Sequence, residues 1–213
     1  MKKNNILTPM LVLGIAIGGV LPEKQAFSQT SQICASSAVP TGFVVTGIST
    51  SFTQCGGFTN NIRTITNASL LTPGSSLNIC PSSAIPTGFV VTGISTSFTQ
   101  CGSSSSFNNI RTITNASILT PGSSLSICPS SAIPTGFVVT GISTSFTQCG
   151  SSSSFNNIRT IRLAQGLPLN SSLSICPSSA IPTGFVVTGI STSFTQCGSS
   201  SSFNNIRTIR RLV

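Results

Sequence analysis

The chain has 213 residues, a formal net charge of +9 and no histidine, with 10 Lys+Arg against one acid. That acid is Glu23, and all three lysines (Lys2, Lys3, Lys24) sit in the same leading segment, so residues 29–213 contain no Asp, Glu, His, Lys, Tyr or Trp and carry only arginine as a charged side chain. Acid–base and nucleophilic catalysis need a group that exchanges a proton near neutral pH, and metal sites need carboxylates, imidazoles or closely spaced thiolates; the composition argues against an enzyme and offers no metal or cofactor site.

Residues 1–28 read as a signal peptide. Lys2 and Lys3 precede an apolar run from Ile6 to Leu21, and a polar stretch ends in Ala26-Phe27-Ser28, the layout of an exported leader. The run is shorter than the about 20 residues a bilayer-spanning helix needs. No second run of that length follows, so no integral membrane span is expected after cleavage. The expected location is secreted, periplasmic or cell-surface, and the leader looks bacterial. On that reading the Asn67-Ala-Ser69, Asn115-Ala-Ser117 and Asn170-Ser-Ser172 sequons stay unmodified.

Residues 29–213 form four tandem β-repeats, bounded at 33–78, 79–126, 127–174 and 175–213. Segments 79–113, 127–161 and 175–209 are identical over 35 residues, and 33–65 is a variant two residues shorter. A period of 46 and then 48 residues marks a repeat architecture whose units are too small to bury an apolar face alone.

Each repeat offers its elements in the same order. A short strand, as in Ser-Leu-Ser-Ile-Cys, leads into the Pro-Ser-Ser-Ala-Ile-Pro-Thr-Gly turn. A longer strand follows over Thr-Gly-Phe-Val-Val-Thr-Gly-Ile-Ser-Thr-Ser-Phe-Thr-Gln-Cys, rich in the residues that suit a pleated sheet. Its alternation puts Val90, Thr92, Ile94, Thr96 and Phe98 on one face and Phe89, Val91, Gly93, Ser95 and Ser97 on the other, with Gly93 a candidate bulge. The Ser-rich turn comes next, and the strand Asn-Asn-Ile-Arg-Thr-Ile closes the unit. Phe89, Phe98 and Phe107 are expected as core anchors, with Phe107 over the disulfide.

The cysteines follow the repeat as Cys34/Cys55, Cys80/Cys101, Cys128/Cys149 and Cys176/Cys197, each 21 apart. An even count in an exported chain reads as a disulfide framework. Pairing within repeats is favoured because each duplicated unit then carries its own staple. The rival pairs Cys55–Cys80, Cys101–Cys128 and Cys149–Cys176, with Cys34–Cys197 closing a ring. The fold class is therefore all-β, a tandem-repeat sheet architecture that is either compact and prism- or propeller-like or a β-solenoid, with one disulfide per repeat. The short first and last copies tip this towards closure, with an N-terminal strand completing the last unit.

Four arginines, Arg63, Arg111, Arg159 and Arg207, recur at one position per unit beside Asn61, Asn109, Asn157 and Asn205. These eight residues are the candidate ligand-binding set, able to meet phosphate, sulfate or acidic sugar groups on a polymer. The bland alternative is a solubilising charge that blunts strand edges. The abundant Ser and Thr suit a neutral glycan, or ice at lower prior, or simply the solvent face of strands.

The pattern on Cys80, Pro81, Gly93, Asn109, Ile110 and Arg111 resembles the repeats of vitelline membrane outer layer proteins. That resemblance implies a sheet-based prism linked to sugar binding. This chain differs in having four copies rather than three and no acidic residue before the Asn. Taken together, the sequence predicts an exported, non-enzymatic, multivalent binding or adhesion module for a glycan or polyanionic surface polymer. The alternative is a self-associating matrix or fibre subunit. Nucleic acid is not an expected partner, extracellular DNA aside.

Overall fold

A computed structural model describes residues 29–57, 59–102, 107–117, 119–150, 155–198 and 203–213; the signal-peptide reading concerns residues outside this set. The described chain is all-β, with twelve strands in four three-stranded antiparallel sheets. The first sheet contains β1 (Thr30–Cys34), β2 (Phe43–Ser49) and β3 (Ile62–Asn67). The second contains β4 (Ser76–Ile79), β5 (Phe89–Ser95) and β6 (Ile110–Asn115). The third contains β7 (Ser124–Ile127), β8 (Phe137–Ser143) and β9 (Ile158–Leu163). The fourth contains β10 (Ser172–Ile175), β11 (Phe185–Ser191) and β12 (Ile206–Arg211).

In every sheet the third strand lies in the middle, flanked by the first and the second. The Ile-Arg-Thr-Ile strand thus uses both of its edges, and the last three sheets take their first strand mainly from the end of the segment that follows the preceding unit's central strand. Each second strand bulges, with the register shifting between Val91 and Gly93 and at the equivalent places in the other sheets. The bulge changes the facing predicted from simple alternation. Val91 lies opposite Ile113 and Ile94 opposite Arg111, two positions apart on β6, so Val91 and Ile94 share a face. An extra residue in one strand of a pair produces this switch. The strand also stops at Ser95 rather than running to the cysteine, because Ser97 Oγ accepts from Gln100 N at 3.1 Å and turns the chain.

The disulfides pair within units, as favoured from the spacing: Cys34–Cys55, Cys80–Cys101, Cys128–Cys149 and Cys176–Cys197, with Cα–Cα distances of 5.3–5.5 Å. Each of the last three also serves the unit before it. Cys128 and Cys149 are packed in one cluster with Val91, Ile113 and Ile79, and Val44 enters the same cluster from the first sheet. Cys176 and Cys197 likewise join Val139, Ile161 and Ile127, with Val90 entering from the second sheet. A sheet therefore buries its inner face beneath the staple of the next unit and against a valine of the previous one. This is how units too small for a core of their own become stable.

Backbone groups follow the same step. Val45 N donates to Ser83 Oγ at 2.9 Å, and Cys80 N donates to Val45 O at 2.8 Å. Gln100 Nε2 donates to Thr46 O at 2.9 Å, and Ile48 N donates to Gln100 O at 2.8 Å. The outer edge of β2 is thereby covered by the second unit. The next two junctions repeat these bonds: Val91 N donates to Ser131 Oγ and Gln148 Nε2 to Thr92 O, and Val139 N donates to Ser179 Oγ and Gln196 Nε2 to Thr140 O.

Among the described residues the units stack in line, so the tandem-repeat sheet architecture stands and the lean towards closure within it is corrected. Packing between units runs β2 on β4, β5 on β7 and β8 on β10. The N-terminal strand β1 pairs with β3 and completes the first sheet rather than the last. Among the described residues no unit covers the outer edge of β11: Val186 and Val187 are each 41% exposed, whereas Val138 and Val139 are 0% and 1% exposed.

Candidate functional site

One end of every sheet carries the loop that joins its second strand to its third. In the second unit this loop runs from Thr96 to Asn109 and holds Phe98 and Phe107. Neither is a core anchor, contrary to the expectation from residue type. Phe52, Phe98, Phe107, Phe146, Phe155, Phe194 and Phe203 are all exposed, between 63% and 85%. The buried aromatic is instead the strand residue, as at Phe43, Phe137 and Phe185. The reason is the early end of the strand: past Ser95 the chain leaves the sheet, and Phe98 no longer follows its alternation.

The exposed rings sit on a built loop. Asn109 Oδ1 accepts from Ser97 N at 2.7 Å and its Nδ2 donates to Ser97 O at 2.6 Å. Asn61, Asn157 and Asn205 hold Ser51, Ser145 and Ser193 in the same way. All four amides are buried. The candidate asparagines are thus placed inside the loop, tying its two ends, while solvent meets the phenylalanines. The preceding asparagine has a positive φ, 59° at Asn108, and its N donates to Thr96 Oγ1 at 2.9 Å. Asparagine tolerates that left-handed conformation better than most residues, which explains an Asn-Asn pair at this spot.

Arg63, Arg111, Arg159 and Arg207 lie on the central strands, one residue from the loop end. Each is half-buried and sits in register between two isoleucines, as Arg111 does between Ile79 and Ile94. They recur once per unit at the same end of the stack as the phenylalanines. The other three arginines have different work. Arg162 Nε donates to Gly122 O at 3.0 Å, Arg210 Nη2 donates to Asn170 Oδ1 at 2.9 Å, and Arg211 donates to the carbonyls of Leu167 and Val213. With no Asp or Glu side chain among the described residues, main-chain and amide oxygens take the partner's place.

The opposite end of the sheets holds clefts that the sequence did not suggest. Successive Ala-Ile-Pro-Thr-Gly turns flank a cleft of about 810 Å³ between the second and third units, lined by Ile85, Pro86, Phe89, Leu119, Ile133 and Pro134 among others. An equivalent cleft of about 560 Å³ lies between the third and fourth. The hydroxyl face is less available than its composition suggests. Thr92 and Thr114 bond each other at 2.8 Å, as do Ser76 and Thr114, and Arg162 and Arg210 replace the equivalent threonine in the last two sheets.

No protein-family model matches this chain, and neither a curated protein nor a solved structure is significantly similar to it. The fold itself defines an all-β tandem-repeat protein with one disulfide per unit. Its disulfides fit an extracellular protein, and among the described residues no helix is long and apolar enough to cross a membrane.

Proposed function

We infer that this is an exported, non-enzymatic module that binds a polysaccharide surface multivalently through its loop end. The observation that carries this reading is the repeated pair of solvent-facing phenylalanines on a hydrogen-bonded loop. Exposing a large apolar ring in water is unfavourable, and a row of such rings is a mark of an interaction surface. Flat rings spaced by a repeat match a ligand that is itself periodic, and the C–H faces of sugar rings stack on aromatics. The half-buried arginine near each loop adds attraction for sulfated or uronic-acid sugars. Each unit then contributes a weak contact, and the four together gain avidity.

Retention on insoluble neutral and acidic polysaccharides tests the proposal. An aromatic contact is worth about 0.5–1.5 kcal/mol, so Phe98→Ser with Phe107→Ser, which removes two, should weaken retention by roughly fivefold to about 150-fold. The same change in three units should abolish it. Replacing Arg63, Arg111, Arg159 and Arg207 by Gln should add a salt-dependent loss on acidic polymers only. Unchanged retention after all seven exposed phenylalanines are replaced would sink the reading.

A further inference from the structure

The two ends of the stack are unlike each other, and each lacks what the other presents. At every internal junction the bulged strand of one unit is covered by the disulfide, serine and glutamine of the next. Among the described residues none covers β11 in this way. Val187 is 41% exposed and Ile190 62% exposed, while the equivalents Val45, Val91 and Val139 are buried to 1%. A Cβ added at Gly47, Gly93 or Gly141 would lie 3.4–3.5 Å from a glutamine carbonyl of the next unit, but at Gly189 only Thr208 lies near.

The first unit shows the converse. Ser83, Ser131 and Ser179 are buried beneath a preceding valine N–H, whereas Ser37 is exposed. Cys80, Cys128 and Cys176 are fully buried, whereas Cys34 is only half-buried. Added Cβ atoms at Gly102, Gly150 and Gly198 would come within 2.8–2.9 Å of an asparagine of the preceding unit, yet at Gly56 nothing lies within 4 Å. The first unit keeps the residues that make the junction, Cys34, Ser37, Gln54 and Gly56, in the order of the internal copies.

We propose that the first unit of a second copy of this chain docks on the β11 edge of the last unit, repeating the internal junction between molecules. Cys34 N and Gln54 Nε2 would donate to Val187 O and Thr188 O, and Val187 N and Ile190 N would donate to Ser37 Oγ and Gln54 O. The contact is heterologous, joining two different surfaces, and the same step taken three times inside the chain does not close on itself. Heterologous contacts that fail to close generate open filaments. The assembly is therefore a head-to-tail rod in which the repeat continues across chain boundaries. This inference concerns the ends of the stack and does not depend on the glycan reading of its loops.

Sedimentation velocity and electron microscopy of the purified, disulfide-oxidised protein over a concentration series test it. The expected result is reversible, concentration-dependent elongation into rods one sheet-stack wide. Ile190→Lys places a charge on the bare edge, and Ser37→Arg places one where the internal serine is buried; both positions are exposed in the single chain, so each variant should fold and stay monomeric. An equimolar mixture of the two should give a dimer and nothing larger, because each retains one intact end. A strict monomer at high concentration would overturn the proposal and indicate that the ends are covered by the chain's own leading segment. Edge-to-edge dimers that survive Ser37→Arg but not Ile190→Lys would overturn it in favour of β11 pairing with itself.

Discussion

Asn109 shows how much one side chain decides in this protein. Its amide both accepts from and donates to Ser97 across the loop that carries Phe98 and Phe107. Asn109→Asp would aim a carboxylate oxygen at the Ser97 carbonyl in place of a donor. The expected cost is about 1–3 kcal/mol, read as a lower urea midpoint, together with loss of the tie between Ser97 and residue 109. Gly150 is the second such residue: its φ is +86°, and an added Cβ would stand 2.8 Å from Asn108 Oδ1. Gly150→Ala should therefore be clearly more destabilising than Gly56→Ala, where φ is +54° and the space is open; paired denaturation curves check the difference. The charge composition gives a further expectation. Residues 29–213 hold no side chain that titrates between about pH 5 and 9. Folded and unfolded states then bind the same number of side-chain protons, and stability should be flat across that range. A slope in the urea midpoint between these pH values would contradict it.

Among the elements, the bulged second strand is the hinge of the design. Its extra residue turns Val91 and Ile94 to one face, and its outer edge receives the next unit. The disulfide is the complementary element, a staple for its own loop and a lid for the neighbouring sheet. Replacing Cys128 and Cys149 together by Ala should cost roughly 3 kcal/mol from loop closure alone. Hydrogen exchange should then quicken in β5 of the preceding sheet as well as in the third unit, because Val91 and Ile113 lose their cover. Within a single chain, removing Cys34 and Cys55 should affect the first unit only, as no described sheet precedes it. The strand types and the staples were legible from β-branched composition and cysteine spacing. The bulge was legible only as a suspicion at Gly93, since a one-residue register shift is settled by what the partner strand offers. Phe98 and Phe107 were misplaced for a related reason. Aromatic residues read as core, and only the chain's departure from the sheet after Ser95 puts them in water.

At the scale of the whole molecule the protein is a linear stack whose stability is the sum of unit and junction contributions. Inserting one further copy of the 48-residue period adds a unit and a junction while leaving both ends unchanged. It should raise the urea midpoint and steepen the transition.

The sequence by itself determined the repeat, the all-β class and the lack of Asp, Glu, His and Lys in residues 29–213, because these depend on residue identity and spacing, and it favoured one disulfide pairing without excluding its rival. Only the tertiary structure decided that the units stack in line and which rings meet solvent. Val186, Val187 and Ile190 stand in the same local sequence as Val138, Val139 and Ile142. Identical sequence ends up buried in one place and exposed in the other because burial is set by the neighbour that covers a strand edge, and among the described residues β11 has none.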